Sequence, residues 1–304
     1  MRYGSALACL ATAPLLLAAA HPARLQPSTK WVLEYAADSC KLSRTFGTGK
    51  DTTVLQFEST APRQVSMIAI GEPLKTDLKQ IPARFLPVQD KAFPGSAQTA
   101  TDREPGVLWE AVPLLPGAFI DYLIKKAREE KIQSGVRPPP IDLNEKAEAL
   151  AERQKFAVAA TELEIGVQWN RPVVLETGSL DDPIKMLDKC ARDSLRDWGV
   201  DPDLDEKIVR RPWAPHPQQW FTAKDYPRDL RSQNKVSLIK VRLLVDATGN
   251  PTKCTSLSNF DEPKFNQIVC AVFMQRAKFE PAELADGTKV PSYYINRVVF
   301  QLKP

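Results

Sequence analysis

Histidine is nearly missing: the 304 residues include only His21 and His216, so no multi-histidine metal site or double-histidine helix motif can be assembled. Glycine is scarce as well, at 13 residues, and no G-x-G-x-x-G phosphate loop occurs. Gly47-Thr48-Gly49 is too short for one and precedes no helical pattern, so it reads as a turn. The nucleophile elbow G-x-S-x-G and the C-x-x-C pair are both lacking, which removes the usual serine hydrolases, thioredoxin-like redox chemistry and zinc ribbons. After Ala20 no stretch approaches the ~18 consecutive apolar residues of a membrane span. What remains is ordinary globular composition, 43% hydrophobic and 26% charged, with length enough for two domains. Proline is abundant at 26 residues, which predicts stiff, irregular connections.

Residues 1–20 read as an export signal. Arg2 supplies a short positive region, Gly4 to Ala20 carry no charge, and Ala18 and Ala20 fit a small-residue cleavage site. Cleavage there predicts a periplasmic protein; the alternative is an uncleaved inner-membrane anchor facing the periplasm. Export removes Cys9 and leaves Cys40, Cys190, Cys254 and Cys270, an even set in an oxidising compartment, which predicts disulfides.

Residues 21–198 read as a β-rich accessory region with helices. Trp31–Ala36, Thr53–Glu58 and Val65–Ile70 have strand patterning, and Glu162–Gln168 and Pro172–Glu176 repeat it. Helix composition runs from Gly117 to Ile132 and from Asn144 to Phe156, divided by Pro138-Pro139-Pro140. A third helix is expected to be capped by Asp182 and ended by Gly199, with Ile184, Leu187, Ala191, Leu195 and Trp198 as its apolar stripe. Cys190 lies beside that stripe, and Cys40 is the only upstream cysteine left after export, so a Cys40 to Cys190 bond is expected. Residues 199–221, with Pro212, Trp213, Pro215 and Pro217, read as an extended linker.

Residues 222–304 carry the most informative pattern. Ile239, Val241, Leu243 and Val245 alternate with Lys240 and Arg242, predicting a strand with one buried face, and Asp246 to Asn250 supply a hairpin turn. A helix follows, with Asp261 as its expected cap, Pro263 in its first turn, and Phe265, Ile268, Val269, Val272 and Phe273 on one face. Tyr293 to Phe300, rich in aromatic and β-branched residues, reads as a final strand.

With Tyr226-Pro227 at its start, Val245-Asp246 before Gly249, Cys254 and Cys270, Phe279-x-Pro281-Ala282, and Asp286-Gly287 before Val290, this segment resembles the C-terminal domain of TonB-family proteins. Ser237 stands where a glycine is usual, and Ser256-Leu257-Ser258-Asn259 replaces a Ser-Ser-Gly. The resemblance implies a two-layer α/β unit with a small antiparallel sheet, so the fold class expected for the whole chain is α+β. It also implies a Cys254 to Cys270 bond between the second strand and the helix. Finally, it implies that the last strand, Tyr293, Tyr294, Ile295, Asn296, Arg297, Val298, Val299 and Phe300, lies at a sheet edge and accepts a partner's strand, with Asn296 and Arg297 fixing register.

The charge is uneven: residues 222–304 hold 13 Lys+Arg against 8 Asp+Glu. Scattered solvated lysines account for this most simply, and export excludes nucleic acid as a partner. Asp246-Ala247-Thr248-Gly249 departs from an aspartic-protease loop because Ala247 intervenes and no second copy exists, so it is a turn. A Ser or Cys nucleophile would depend on His216. The expectation is therefore a non-enzymatic periplasmic protein without cofactor or metal. Its partner would be an envelope protein, with a link to TonB-dependent outer-membrane transport; an anchored TonB-like energy transducer and a periplasmic hydrolase are the alternatives.

Overall fold

The computed structural model describes residues 22–99, 104–129, 140–167, 169, 171–257 and 262–302. The export signal, Pro138-Pro139 and Asp261 lie outside the described residues.

Strand patterning in the first half produces two sheets. One is a six-stranded antiparallel sheet built from β2 (Val32–Tyr35), β3 (Cys40–Phe46), β4 (Thr53–Ala61), β5 (Gln64–Ile70), β7 (Ser96–Thr99) and β8 (Pro105–Trp109), in the order β2-β3-β4-β5-β8-β7. The other holds β1 (Ala23–Leu25), β6 (Ala83–Leu86), β9 (Glu162–Ile165) and β10 (Val173–Leu175), in the order β1-β10-β9-β6, with β1 parallel to β10. Alternation buries Leu42 and Phe46 of β3, Leu55 and Phe57 of β4, and Val65, Met67 and Ala69 of β5 against Phe85, Leu163 and Ile165 in one core.

Three helices accompany these sheets: α1 (Gly117–Glu129), α2 (Leu143–Ala159) and α3 (Asp181–Asp197). The stripe Ile184, Leu187, Ala191 and Leu195 of α3 is buried as its 3.6-residue spacing requires. Its cap differs from expectation: Leu180 occupies the cap position with no side-chain hydrogen bond, and Asp181 and Asp182 lie in the first turn, where carboxylates favour the helix dipole.

The segment expected to be an extended linker is built into the fold instead. Asp201 caps α4 (Pro202–Lys207) by accepting from the Asp203 and Leu204 N–H groups, and β11 (Ile208–Arg210) pairs with β14 (Ala282–Leu284). Trp213 exchanges backbone hydrogen bonds of 3.0 and 2.9 Å with Glu280, and Trp220 is buried on Phe273 and Phe279. The prolines stiffen the path without preventing these contacts.

The C-terminal unit opens with the short α5 (Arg228–Ser232) and forms the sheet β13-β12-β16 from β12 (Ser237–Val245), β13 (Pro251–Ser256) and β16 (Ser292–Phe300). Helix α6 (Pro263–Arg276) covers one face, and its cap position is taken by Glu262. β15 (Lys289–Val290) completes the small β11-β14-β15 sheet. Ile239, Val241, Leu243 and Val245 point into the core with Phe265, Val269, Val272 and Phe273, so the unit is the two-layer α/β arrangement expected.

Candidate functional site

The cysteines meet in two pairs at disulfide distance. Cys40 of β3 and Cys190 of α3 are 2.02 Å apart at sulfur, both buried in the first core. Cys254 of β13 and Cys270 of α6, 1.96 Å apart, fasten the sheet to its helix.

Asp246 is occupied by its turn. Its Oδ1 accepts the N–H groups of Thr248 and Asn250, both at 2.9 Å, and the Thr248 hydroxyl at 2.7 Å. The Thr248 hydroxyl, with these N–H groups, holds the carboxyl below the usual carboxylate range. His216 is exposed ahead of a short 3-10 turn.

The last strand forms one edge of the β13-β12-β16 sheet, paired with β12 from Ser237↔Phe300 to Val245↔Ser292. Among the described residues no strand lies on its outer side. Its side chains split by parity: Tyr294, Val298 and Phe300 pack in the α6 core, whereas Tyr293 and Ile295 turn the other way onto Leu195, Val200 and Trp198. The direction of the backbone groups follows from two hydrogen bonds. The Lys240 carbonyl accepts the Leu257 N–H on the β13 side, and the Arg297 N–H is taken by the Asn296 side chain at 2.7 Å. Lys240 and Arg297 are therefore a non-hydrogen-bonded pair, and in an antiparallel ladder the alternate residues Ile295, Arg297 and Val299 aim N–H and C=O outward.

A groove of about 430 Å³ opens at this strand, walled by Arg63 to Val65 on one flank, Glu110 and Ala111 on another, and Lys240 of β12 with Ile295 to Arg297 of β16. Arg297 reaches across it to the Glu110 carboxylate, so it joins the two halves of the chain.

The second face of the sheet is where sequence reasoning failed. Lys240 and Arg242 alternate with apolar residues as solvent-facing positions do, yet Arg242 is only 3% exposed. Its guanidinium lies 3.6 Å from the Trp198 ring centroid and donates at 2.9 Å to Asp38 Oδ1 and at 3.2 Å to the Asp38 carbonyl. Burial lowers its pKa, and Asp38 opposes that shift. Lys240 donates to the Thr60 hydroxyl at 2.9 Å. Part of the cationic excess of the second half thus faces acids of the first, where residues 21–221 hold 27 Lys+Arg against 29 Asp+Glu; the signal lies in that overall balance and not in the local pattern.

The signposts of residues 222–302 also meet in space. Tyr226 donates its hydroxyl to the Lys235 carbonyl and packs edge-on against Phe265 and Phe300. Gly249, at φ +86°, receives the Phe279 N–H on its carbonyl at 2.9 Å, and a Cβ there would stand 1.9 Å from the Phe279 oxygen. Residues 222–302 match the family of the Gram-negative bacterial TonB protein C-terminal domain. The TonB-like domain points to a periplasmic or envelope protein linked to transport that interacts with envelope or outer-membrane proteins, and to a family that is non-enzymatic in general. The preceding 221 residues lie outside the match. No curated protein and no solved structure matches the chain. No helix among the described residues is long and apolar enough to cross a membrane.

Proposed function

We propose that this chain is a non-enzymatic periplasmic protein, exported by its first twenty residues, whose TonB-like domain takes up an extended segment of an outer-membrane transporter by strand addition along β16. The observation that carries the reading is the outward row of backbone groups at Ile295, Arg297 and Val299 beside the Gln64–Glu110 groove. In strand addition the main-chain hydrogen bonds supply affinity and the alternating side chains supply selectivity. Two disulfides suit an oxidising compartment. The engagement of Asp246 Oδ1 by its own turn supports reading that carboxylate as a structural residue.

The test is a synthetic peptide copying a short extended segment of a TonB-dependent outer-membrane transporter from the same bacterium. Val299→Pro deletes one outward N–H and is expected to weaken peptide binding at least tenfold while leaving the β12 ladder paired. Unchanged binding in that variant contradicts the reading.

A further inference from the structure

Next to the β16 groove, with which it shares Arg63, α1, α2 and β11 meet the segment after β8 around a recess of about 370 Å³. This lies within the roughly 300–1,000 Å³ of small-molecule pockets. Leu114 and Ile208 are buried in its wall, while Leu123, Ile141 and Leu150 stay exposed, Leu150 by 45%. Four cations share this apolar lining: Arg63, Lys146, Arg153 and Arg211.

Two of the four are neutralised. Arg153 forks onto Asp188, with Nη2 to Oδ1 at 2.9 Å, and Arg211 forks onto the buried Asp205, with Nη2 to Oδ2 at 3.0 Å. Glu145, the acid in the lining, is taken by Lys126. Lys146 donates to the Glu206 carbonyl, a neutral partner. Arg63 has no carboxylate partner among the described residues. The exposed Arg63 and the half-buried Lys146 therefore have no carboxylate bonded to them, and Asp205, engaged by Arg211, acts on both only from a distance.

Backbone geometry singles out the same arginine. Arg63 sits at φ +64° in the Pro62-Arg63 turn joining β4 to β5. The position after proline in such a turn favours glycine or asparagine, and a long side chain held there is strained. Strain of this kind gathers at functional positions.

We propose that this recess binds an amphiphilic anion, an unbranched aliphatic chain ending in a carboxylate, with its tail on Leu114, Leu123, Ile141, Leu150 and Ile208 and its head between Arg63 and Lys146. A small polar anion gains nothing from the apolar walls, and a neutral chain leaves both cations unanswered. The recess shares Arg63 with the groove at β16, whereas strand addition uses the β16 backbone groups, which the recess does not touch.

Isothermal titration of the full exported chain tests this with laurate below its micelle concentration, dodecanol and acetate. Laurate is expected to saturate one site, dodecanol to bind at least tenfold more weakly, and acetate to give no measurable binding. Arg63→Gly combined with Lys146→Gln is expected to weaken laurate at least tenfold. Arg63→Gly alone weakens laurate while keeping or raising the melting temperature, because glycine accepts the turn; this separates loss of the site from loss of the fold. Lys146 is pushed down to about 8 by burial and by Arg63 and Arg211, against the pull of Asp205; Glu145 and Arg153 are the other charged groups lining the recess. Laurate affinity therefore falls as the pH rises above 8. Laurate binding unchanged in the double variant, dodecanol binding as tightly as laurate, or no laurate binding at all overturns the proposal.

Discussion

Gly249 shows how single residues fix the C-terminal unit. Its left-handed backbone and the 1.9 Å that a Cβ would leave to the Phe279 oxygen act together. Gly249→Ala is therefore expected to cost about 2 kcal/mol or more in urea unfolding. Asp225 supplies a pH test. Its carboxylate accepts Arg276 Nη1 and Nη2 at 2.8 and 3.0 Å and caps the Thr222 N–H at 2.7 Å, and Arg276 foremost lowers its pKa to about 2. A carboxyl depressed in the folded state stabilises fully above its unfolded pKa of about 4 and loses that contribution as the pH falls through 2. Asp225→Asn should flatten the fall of the urea midpoint between pH 4 and pH 2, and an unchanged slope would contradict the assignment.

At the scale of elements, the alternating ladder assigns opposite roles to neighbouring residues of β16. The Val298 N–H belongs to the β12 ladder and the Val299 N–H points outward. Val298→Pro should cost about 3 kcal/mol and Val299→Pro less than about 1, read from thermal melts. Helix α3, helix α6 and the β12–β13 hairpin were legible because each pairs a strong period with a terminating turn. The edge position of β16 came from the family resemblance, since strand order leaves no local trace in sequence. Strands β6, β7 and β8 were not legible, because each is only four or five residues long, β7 is a polar run without alternation, β8 opens on Pro105-Gly106, and β6 gains its partner only through the distant pairing Ala83↔Ile165. Arg242 misled for a different reason: an alternating cation marks a solvent face unless a second domain with an aromatic ring and an acid covers it. Arg63 and Lys146 carried no motif, and only the tertiary meeting of a turn with α2 brings them to one recess.

For the whole molecule, the clamp at Arg242 makes the two halves one structure. Arg242 on Trp198 and Asp38, Arg297 on Glu110, and Tyr293 edge-on against Trp198 all cross the same boundary. Arg242→Ala is expected to cost about 2 kcal/mol at that boundary, because the desolvated cation–π contact goes while the half-exposed Asp38 regains water. Calorimetry should then resolve separate transitions for the two halves, and a single unshifted transition would contradict the clamp. The same boundary forms the groove along β16, so the first half of the chain shapes the edge that the TonB-like domain offers.

Amide exchange of β16, with and without the transporter peptide, tests strand addition most directly. The account predicts at least tenfold added protection at Ile295, Arg297 and Val299, with little change at Asn296 and Val298, whose N–H groups already pair with β12. Peptide binding that leaves those three amides unprotected, or that protects β13 instead, would contradict it.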